Sequence, residues 1–169
     1  MIVRVFAVVA AMCFANTAQA ENPWSVIAAA CTPDSATIKG DRHVSVLSSV
    51  RHATGNVDLI NLHCPIPRFS SATTSWNLKL KYQDSTGTDP AAYVKATLYR
   101  VGIGVAAAQQ TLATANSNSV PNTTVFVVSS PVFPHTFNFE NYVYWVGIEL
   151  DRNAINQAVI AHQVILDGI

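Results

Sequence analysis

Long apolar runs, charged residues and cysteines are all scarce in this 169-residue sequence. The main apolar run, Val5 to Ala15, is too short to cross a membrane, and no later segment comes near the 18 or more apolar residues that spanning requires. Only 12% of the residues are charged and the formal net charge is zero. We therefore expect no transmembrane segment, no nucleic-acid partner and no polybasic surface for anionic lipid.

Catalytic motifs are missing as well. The chain has no Gly-x-Ser-x-Gly elbow, no His-Glu-x-x-His, no glycine-rich phosphate loop and no Cys-x-x-Cys. None of its five histidines are spaced i, i+2, which would place two imidazoles on one face of a strand. These absences predict a protein that is not an enzyme and that holds no cofactor.

The first 20 residues have the order of a secretory signal peptide. Arg4 supplies a positive charge, Val5–Ala15 is apolar, and Ala18-Gln19-Ala20 is a small-x-small cleavage site. We expect cleavage after Ala20 and a secreted or periplasmic protein, and the compact signal is typical of bacteria. The remaining 21–169 segment has the length of a single domain.

Cysteine use points to one disulfide. Cys13 lies in the predicted signal segment, and Met12 before it is not the small residue that a lipoprotein site requires. Cys31 and Cys64 are then the only pair, and in an oxidising compartment they are expected to be linked. A metal or reactive-thiol role is disfavoured because His63, the neighbour of Cys64, points to the opposite face of a strand.

Apolar residues recur with a period of two along most of the chain, which predicts an all-β protein. About eight short strands separated by turn residues favour an antiparallel β-sandwich, either jelly-roll or immunoglobulin-like. The residues of Trp76–Gln83 and Tyr93–Val101 read as a hairpin or meander pair. Trp24–Ala30 fits either an edge strand or a helical turn, and Thr114–Asn122 reads as a loop. The other predicted strands are Val46–His52, Val57–Cys64, Thr124–Ser129, Asn141–Leu150 and Ala158–Leu166.

Three aromatic residues are the leading binding candidates. Tyr93 and Tyr99 share the polar face of their strand, and Trp145 shares its face with Glu149. Exposed flat rings suit stacking on sugar rings, although tyrosine and tryptophan also cover sheet surfaces without any ligand. Carbohydrate or another envelope protein is therefore a possible partner.

Acidic residues give two weaker candidates. Asp84 and Asp89 flank a glycine in an oxygen-rich segment that loosely resembles a calcium loop, and its composition is also that of an ordinary turn. Glu149 and Asp151 lie on one strand face at a spacing compatible with an inverting glycosidase. A small hydrolase using these four carboxylates is the least favoured alternative, because a general acid needs burial to raise its pKa.

A signal peptide, one disulfide near the mature N-terminus and a β-rich chain of about 150 residues are similar in layout to fimbrial subunits of the chaperone–usher type. That resemblance implies a structural subunit that assembles by strand exchange. The chain departs from it at Leu166-Asp167-Gly168-Ile169, where those subunits have an alternating strand with a near-terminal tyrosine. A non-catalytic binding or scaffolding module of the cell envelope is the favoured function.

Overall fold

The computed structural model describes residues 24–87, 89–104, 108–120 and 122–169. The predicted signal peptide and its cleavage site after Ala20 lie outside this part of the chain. Among the described residues, none of the helices has the length and apolar character needed to cross a membrane.

The described residues form twelve β-strands and one short α-helix, α1 (Ser35–Lys39). Two single 3₁₀ turns, Ala28–Ala30 and Ser117–Ser119, follow β1 and β8. The strands are β1 (Trp24–Ile27), β2 (Thr32–Pro33), β3 (His43–Val46), β4 (Ser49–His52), β5 (Ile60–Pro65), β6 (Ser75–Asp84), β7 (Tyr93–Gly102), β8 (Gln110–Asn116), β9 (Phe126–Ser129), β10 (Phe133–Pro134), β11 (Tyr142–Asp151) and β12 (Val159–Gly168).

The strands form two antiparallel sheets, which confirms the predicted β-sandwich. Sheet A has the order β10-β6-β12-β4-β3, with β1 also paired to β12 and β9 also paired to β6. Sheet B has the order β2-β5-β11-β7-β8. Each of these pairs is antiparallel.

The chain alternates between the sheets in the manner of a jelly roll. Strands β4, β6, β9 and β12 lie in sheet A, whereas β5, β7, β8 and β11 lie in sheet B. The resulting orders, β4-β12-β6-β9 and β5-β11-β7-β8, are those of a double-sheet jelly roll and not of an immunoglobulin fold.

This topology corrects the predicted hairpin of Trp76–Gln83 and Tyr93–Val101. Both segments are strands, but β6 belongs to sheet A and β7 to sheet B, so they do not pair with each other. The turn-rich segment between them carries the chain across the sandwich. Alternation gives each strand one buried face, and that face can be buried equally well in either sheet.

Several element boundaries also differ from those predicted; for example, β5 begins at Ile60 and not at Val57, and β9 begins at Phe126 and not at Thr124. The predicted strand Val46–His52 is interrupted at Leu47, which has a positive φ of 54°, and the chain folds back there as the β3–β4 hairpin. Strand β8 extends through Thr114–Asn116, because Ala113 and Ala115 bury their side chains against the core. The segment Trp24–Ala30 was expected to be either an edge strand or a helical turn. It contains one of each, because β1 is followed directly by a 3₁₀ turn.

The core lies between the two sheets. Strand β11 shows how the sequence produces it, because Tyr144, Val146, Ile148 and Leu150 are almost fully buried while the residues between them face outward. Each such side chain contributes about 1.5–3 kcal/mol through burial. These buried residues anchor sheet B and thereby fix the positions of the side chains on its outer face.

The predicted disulfide between Cys31 and Cys64 is confirmed. It joins the segment just before β2 to the buried strand β5, with Cα atoms 4.6 Å apart. In the chain-entropy description a loop of this length constrains the unfolded chain by about 4 kcal/mol.

Arg152 ties two loops together at one end of the sandwich. Its buried guanidinium donates hydrogen bonds to the carbonyls of Ala53 (3.1 Å) and Asn56 (2.8 Å) in the β4–β5 loop. It also donates to the carbonyls of Ile155 and Gln157, both at 3.1 Å, in the β11–β12 loop. Backbone dipoles therefore solvate this cation in place of water.

Candidate ligand-binding site

The outer face of sheet B brings two of the three predicted aromatic residues, Tyr99 and Trp145, into contact. On β11, Trp145, Gly147 and Glu149 alternate with the buried core residues and point outward. Directly paired residues on antiparallel strands share a face, so the neighbours of these three also point outward. The pairs are Trp145 with Tyr99 and Pro65, Gly147 with Thr97 and His63, and Glu149 with Lys95 and Asn61.

Tyr99 and Trp145 pack against each other on the outer face of sheet B. Their ring centroids are 5.5 Å apart and their planes are inclined by only 30°. Both residues are half-buried, so part of each side chain remains exposed to solvent. We call this pair the aromatic platform.

Gly147 allows the platform to lie low on the sheet. A Cβ atom at position 147 would be 3.0 Å from Cε2 of Tyr99, closer than ordinary side-chain contacts. Any larger residue would therefore displace the Tyr99 ring. The glycine also leaves a shallow floor beside the platform.

Tyr93 has a different role from the other two aromatic residues. Its hydroxyl donates to Oε2 of Glu149 at 3.4 Å, and the same oxygen is 2.6 Å from Nζ of Lys95. Burial, followed by the charge of Glu149, raises the pKa of Tyr93. Burial opposes the charged form of Lys95, but the hydrogen bond and charge of Glu149 outweigh it and raise the pKa of that amine. Tyr93 and Lys95 thus fix one oxygen of Glu149, and Oε1 takes part in neither contact.

A second polar group stands across the floor from the platform. Asp34 is the N-cap of α1 and accepts a hydrogen bond from the backbone N–H of Thr37 at 2.6 Å. The side-chain amide of Asn61 donates to the other oxygen of Asp34 at 3.2 Å, and its own amide oxygen is left for other partners. Burial alone would raise the pKa of Asp34, but the bonds from Thr37 and Asn61, with His63 nearby, lower it. The Asp34 carboxyl is therefore ionised at neutral pH.

These residues enclose a groove of about 200 Å³ on the outer face of sheet B. One wall is the aromatic platform, the floor is Gly147, and the opposite wall is polar. The polar lining residues are Asp34, Asn61 and His63 on the β5 side, Glu149 on β11, and Gln109, which directly precedes β8. The groove offers a flat apolar surface directly beside hydrogen-bonding groups that the fold already holds in place.

The calcium candidates Asp84 and Asp89 have other partners. Asp84 is fully buried and accepts hydrogen bonds from Thr86 Oγ1 (2.7 Å) and Ser117 Oγ (2.8 Å). Asp89 accepts one from the backbone N–H of Ala91 at 2.9 Å. In the described ranges no three His, Cys, Asp or Glu side chains are grouped so that they could hold a metal ion. Both aspartates act in turns, as Asx motifs do.

The carboxylates of the hydrolase alternative are placed as follows. Glu149 lies in the groove with one oxygen bound to Lys95 and Tyr93, and Asp151 lies two residues further along β11, opposite Tyr93. Burial, and to a smaller extent Glu149, raises the pKa of Asp151. Asp84 is turned into the protein interior and lines no part of the groove.

A larger cleft, of about 410 Å³, lies at one end of the sandwich between the β5–β6 and β10–β11 loops. Its apolar wall is a cluster of half-buried phenylalanines, Phe69, Phe137 and Phe139, with ring centroids 5.1–5.8 Å apart. The polar groups beneath it bind the protein's own backbone. Trp76 Nε1 donates to the carbonyl of His135 (2.9 Å), and the hydroxyl of Tyr144 accepts from the N–H of Asn138 (3.1 Å). This cluster closes the end of the core.

Sequence reasoning placed Tyr99 and Trp145 each on the polar face of its own predicted strand, but it did not bring the two together and it missed Asp34, Asn61, His63 and Gly147. Asn61 and His63 lie on β5, which pairs with β11, and Asp34 follows β2, which pairs with β5; these pairings follow only from the jelly-roll topology. Gly147 had a local signal, because a glycine inside a strand often marks a close approach by another group.

Comparison with known proteins found no family model and no curated protein that matches this chain.

Proposed function

We propose that this chain is an exported, non-catalytic binding module of the cell envelope, secreted or periplasmic, whose ligand lies in the groove on the outer face of sheet B. The observation that carries the proposal is the aromatic platform of Tyr99 and Trp145 beside prepositioned polar atoms of Asn61 and Glu149. Binding sites commonly combine an apolar surface with a few fixed polar groups in this way.

Export is supported by the order of charge, apolar run and small residues over 1–20, and by the disulfide. A Cys31–Cys64 link is compatible with an oxidising compartment. The groove is carried by strands and not by long loops, which suits a binding site that needs little rearrangement.

The proposal is tested by cosedimentation of the purified mature protein with isolated envelope fractions, such as cell-wall sacculi and outer-membrane vesicles. We expect the wild type to pellet with at least one fraction and Tyr99→Ala/Trp145→Ala to remain in the supernatant. Val127→Ala is the matched control, because Val127 is 42% exposed and lies on the outer face of the other sheet. Equal pelleting of all three proteins, or of none, would exclude the groove as the binding surface.

Assembly by strand exchange is the second candidate function. The observation favouring it is the edge strand β3, where Val44 and Val46 are each 39% exposed and Leu47 at the adjoining turn is 95% exposed. Unprotected edges of this kind invite pairing with another chain. On the other hand β12, the last strand, is already paired on both sides, with β6 and with β1 and β4. Light scattering of the purified protein distinguishes the two candidate functions. A strand-exchanging subunit polymerises, whereas we expect the binding module to remain a monomer.

A further inference from the structure

We propose that the groove on sheet B binds one six-membered ring of a neutral sugar, stacked on Tyr99 and Trp145 with its hydroxyl groups toward Asn61, Asp34 and Glu149. This inference rests on the proposed function and specifies the chemistry of its ligand. It follows from the shape of the platform, the free hydrogen-bonding atoms and the charge of the polar wall.

The platform matches the apolar face of a sugar ring. The two rings, whose centroids are 5.5 Å apart and whose planes are inclined by 30°, pack against each other and remain partly exposed, so the pair offers an aromatic face beside the hydrogen-bonding groups of the groove. A saturated ring with its C–H bonds on one face can lie flat on such a surface. The volume of about 200 Å³ suits a single ring and not a drug-sized ligand.

The polar residues of the groove can form hydrogen bonds with the hydroxyl groups at the edge of the sugar ring. Hydroxyl groups donate and accept, so they need both kinds of partner at fixed positions. Glu149 Oε1 and the amide oxygen of Asn61 are acceptors not used by the contacts that fix these two side chains. His63 and Gln109, both exposed and lining the groove, can donate. Because the acceptors are already held, little conformational entropy is lost on binding.

The charges around the groove disfavour an anionic sugar. Two carboxylates, Asp34 and Glu149, line it, and no arginine or lysine among the described residues does. The adjacent cation, Lys95, is paired with Glu149 at 2.6 Å. The bonds that lower the pKa of Asp34 keep that carboxylate charged at neutral pH. A uronic acid would bring a third negative charge to this surface, whereas a neutral hexose would not.

The test compares each neutral polysaccharide with the corresponding polyuronate, in which a carboxylate replaces the CH₂OH group of every sugar. Mannan and polymannuronate form one matched pair, and β-1,4-glucan and β-1,4-glucuronan form a second. Binding is measured by calorimetry and by the fluorescence of the protein at low ionic strength. We expect saturable binding to the neutral member of at least one pair, with the uronate weaker by about ten-fold or more.

Two variants link the result to the groove. Trp145→Ala is expected to weaken binding of the neutral polymer by about ten-fold or more, while Val127→Ala leaves it unchanged. Asp34→Asn removes a charge while keeping a residue that can cap α1, and it is expected to reduce the preference for the neutral member.

The outcomes separate this inference from the proposed function. Tighter binding of the uronates, lost in Trp145→Ala, would overturn the neutral sugar and leave the groove as the binding site. Failure of all four polymers to bind, with Trp145-dependent pelleting on envelope fractions, would overturn the sugar alone. If neither polymer binding nor pelleting depends on Trp145, both proposals are wrong.

Discussion

Acidification is expected to destabilise this protein through His52, which is buried in sheet A beside Arg152. The ring has 6% of its surface exposed, its Nε2 is 3.1 Å from the carbonyl of Asp58, and its Nδ1 has no partner among the described residues. Burial, followed by the charge of Arg152, lowers the pKa of His52 from 6.5 to about 4. The ring is therefore neutral in the folded protein at neutral pH.

The direction and size of the effect follow from proton linkage. Above pH 6.5 neither state binds the proton, so the full stability is present. Between pH 6.5 and 4 the unfolded chain binds it and the folded protein does not, so the free energy of unfolding falls as the pH falls. A lowering of the pKa from 6.5 to about 4 corresponds to a total loss of about 3 kcal/mol.

Urea unfolding followed by tryptophan fluorescence at pH 7.5, 6, 5 and 4 measures this loss. His135 and His162, whose pKa values are also lowered by burial, and the carboxylates contribute to the same range, so the comparison is with His52→Gln. Glutamine does not titrate, and it keeps a side-chain N–H for the Asp58 carbonyl. We expect the stability of the variant to fall less steeply between pH 6.5 and 4. Parallel profiles for the two proteins would refute the argument.

Three other changes test the fold. Replacing Cys31 and Cys64 together by serine is expected to lower the free energy of unfolding by about 2–4 kcal/mol, measured with urea, and an unchanged midpoint would contradict a stabilising role. Arg152→Met is expected to lower the free energy of unfolding by about 3 kcal/mol, because the loop carbonyls lose their shared donor. An unchanged melting temperature would contradict a stabilising role for these hydrogen bonds. Gly147→Ala should cost about 1 kcal/mol in the wild type and nothing in Tyr99→Ala, and a double-mutant cycle without coupling would disprove the contact.

Alternation in the sequence was sufficient to predict individual strands and their buried faces. Strand β11 illustrates this, because its period-two pattern marks both its core residues and the outward position of Trp145. Partner strands could not be predicted in the same way. The segments β6 and β7 are close in sequence and carry similar patterns, yet they lie in opposite sheets. The choice depends on packing between distant strands, which no local window contains.

The residues of the candidate site also differ in whether their local sequence could predict them. Tyr99 and Trp145 could be selected because each is an aromatic residue on a polar strand face. Asn61 and Asp34 could not, because they reach the groove only through the pairing of β5 with β11 and the capping of α1. Short polar residues at turns and strand starts are common, and their local sequence does not distinguish these two from the rest.

The position of β12 within sheet A has a consequence for how the domain folds. This strand is the last in chain order, yet it lies at the centre of its sheet, between β6 and the pair β1 and β4. Sheet A therefore cannot close until Val159–Gly168 has been added, and its contacts join residues far apart in the chain. Such a topology folds slowly and late. Until that strand is available, the edges of β4 and β6 that it covers are open to pairing with another chain.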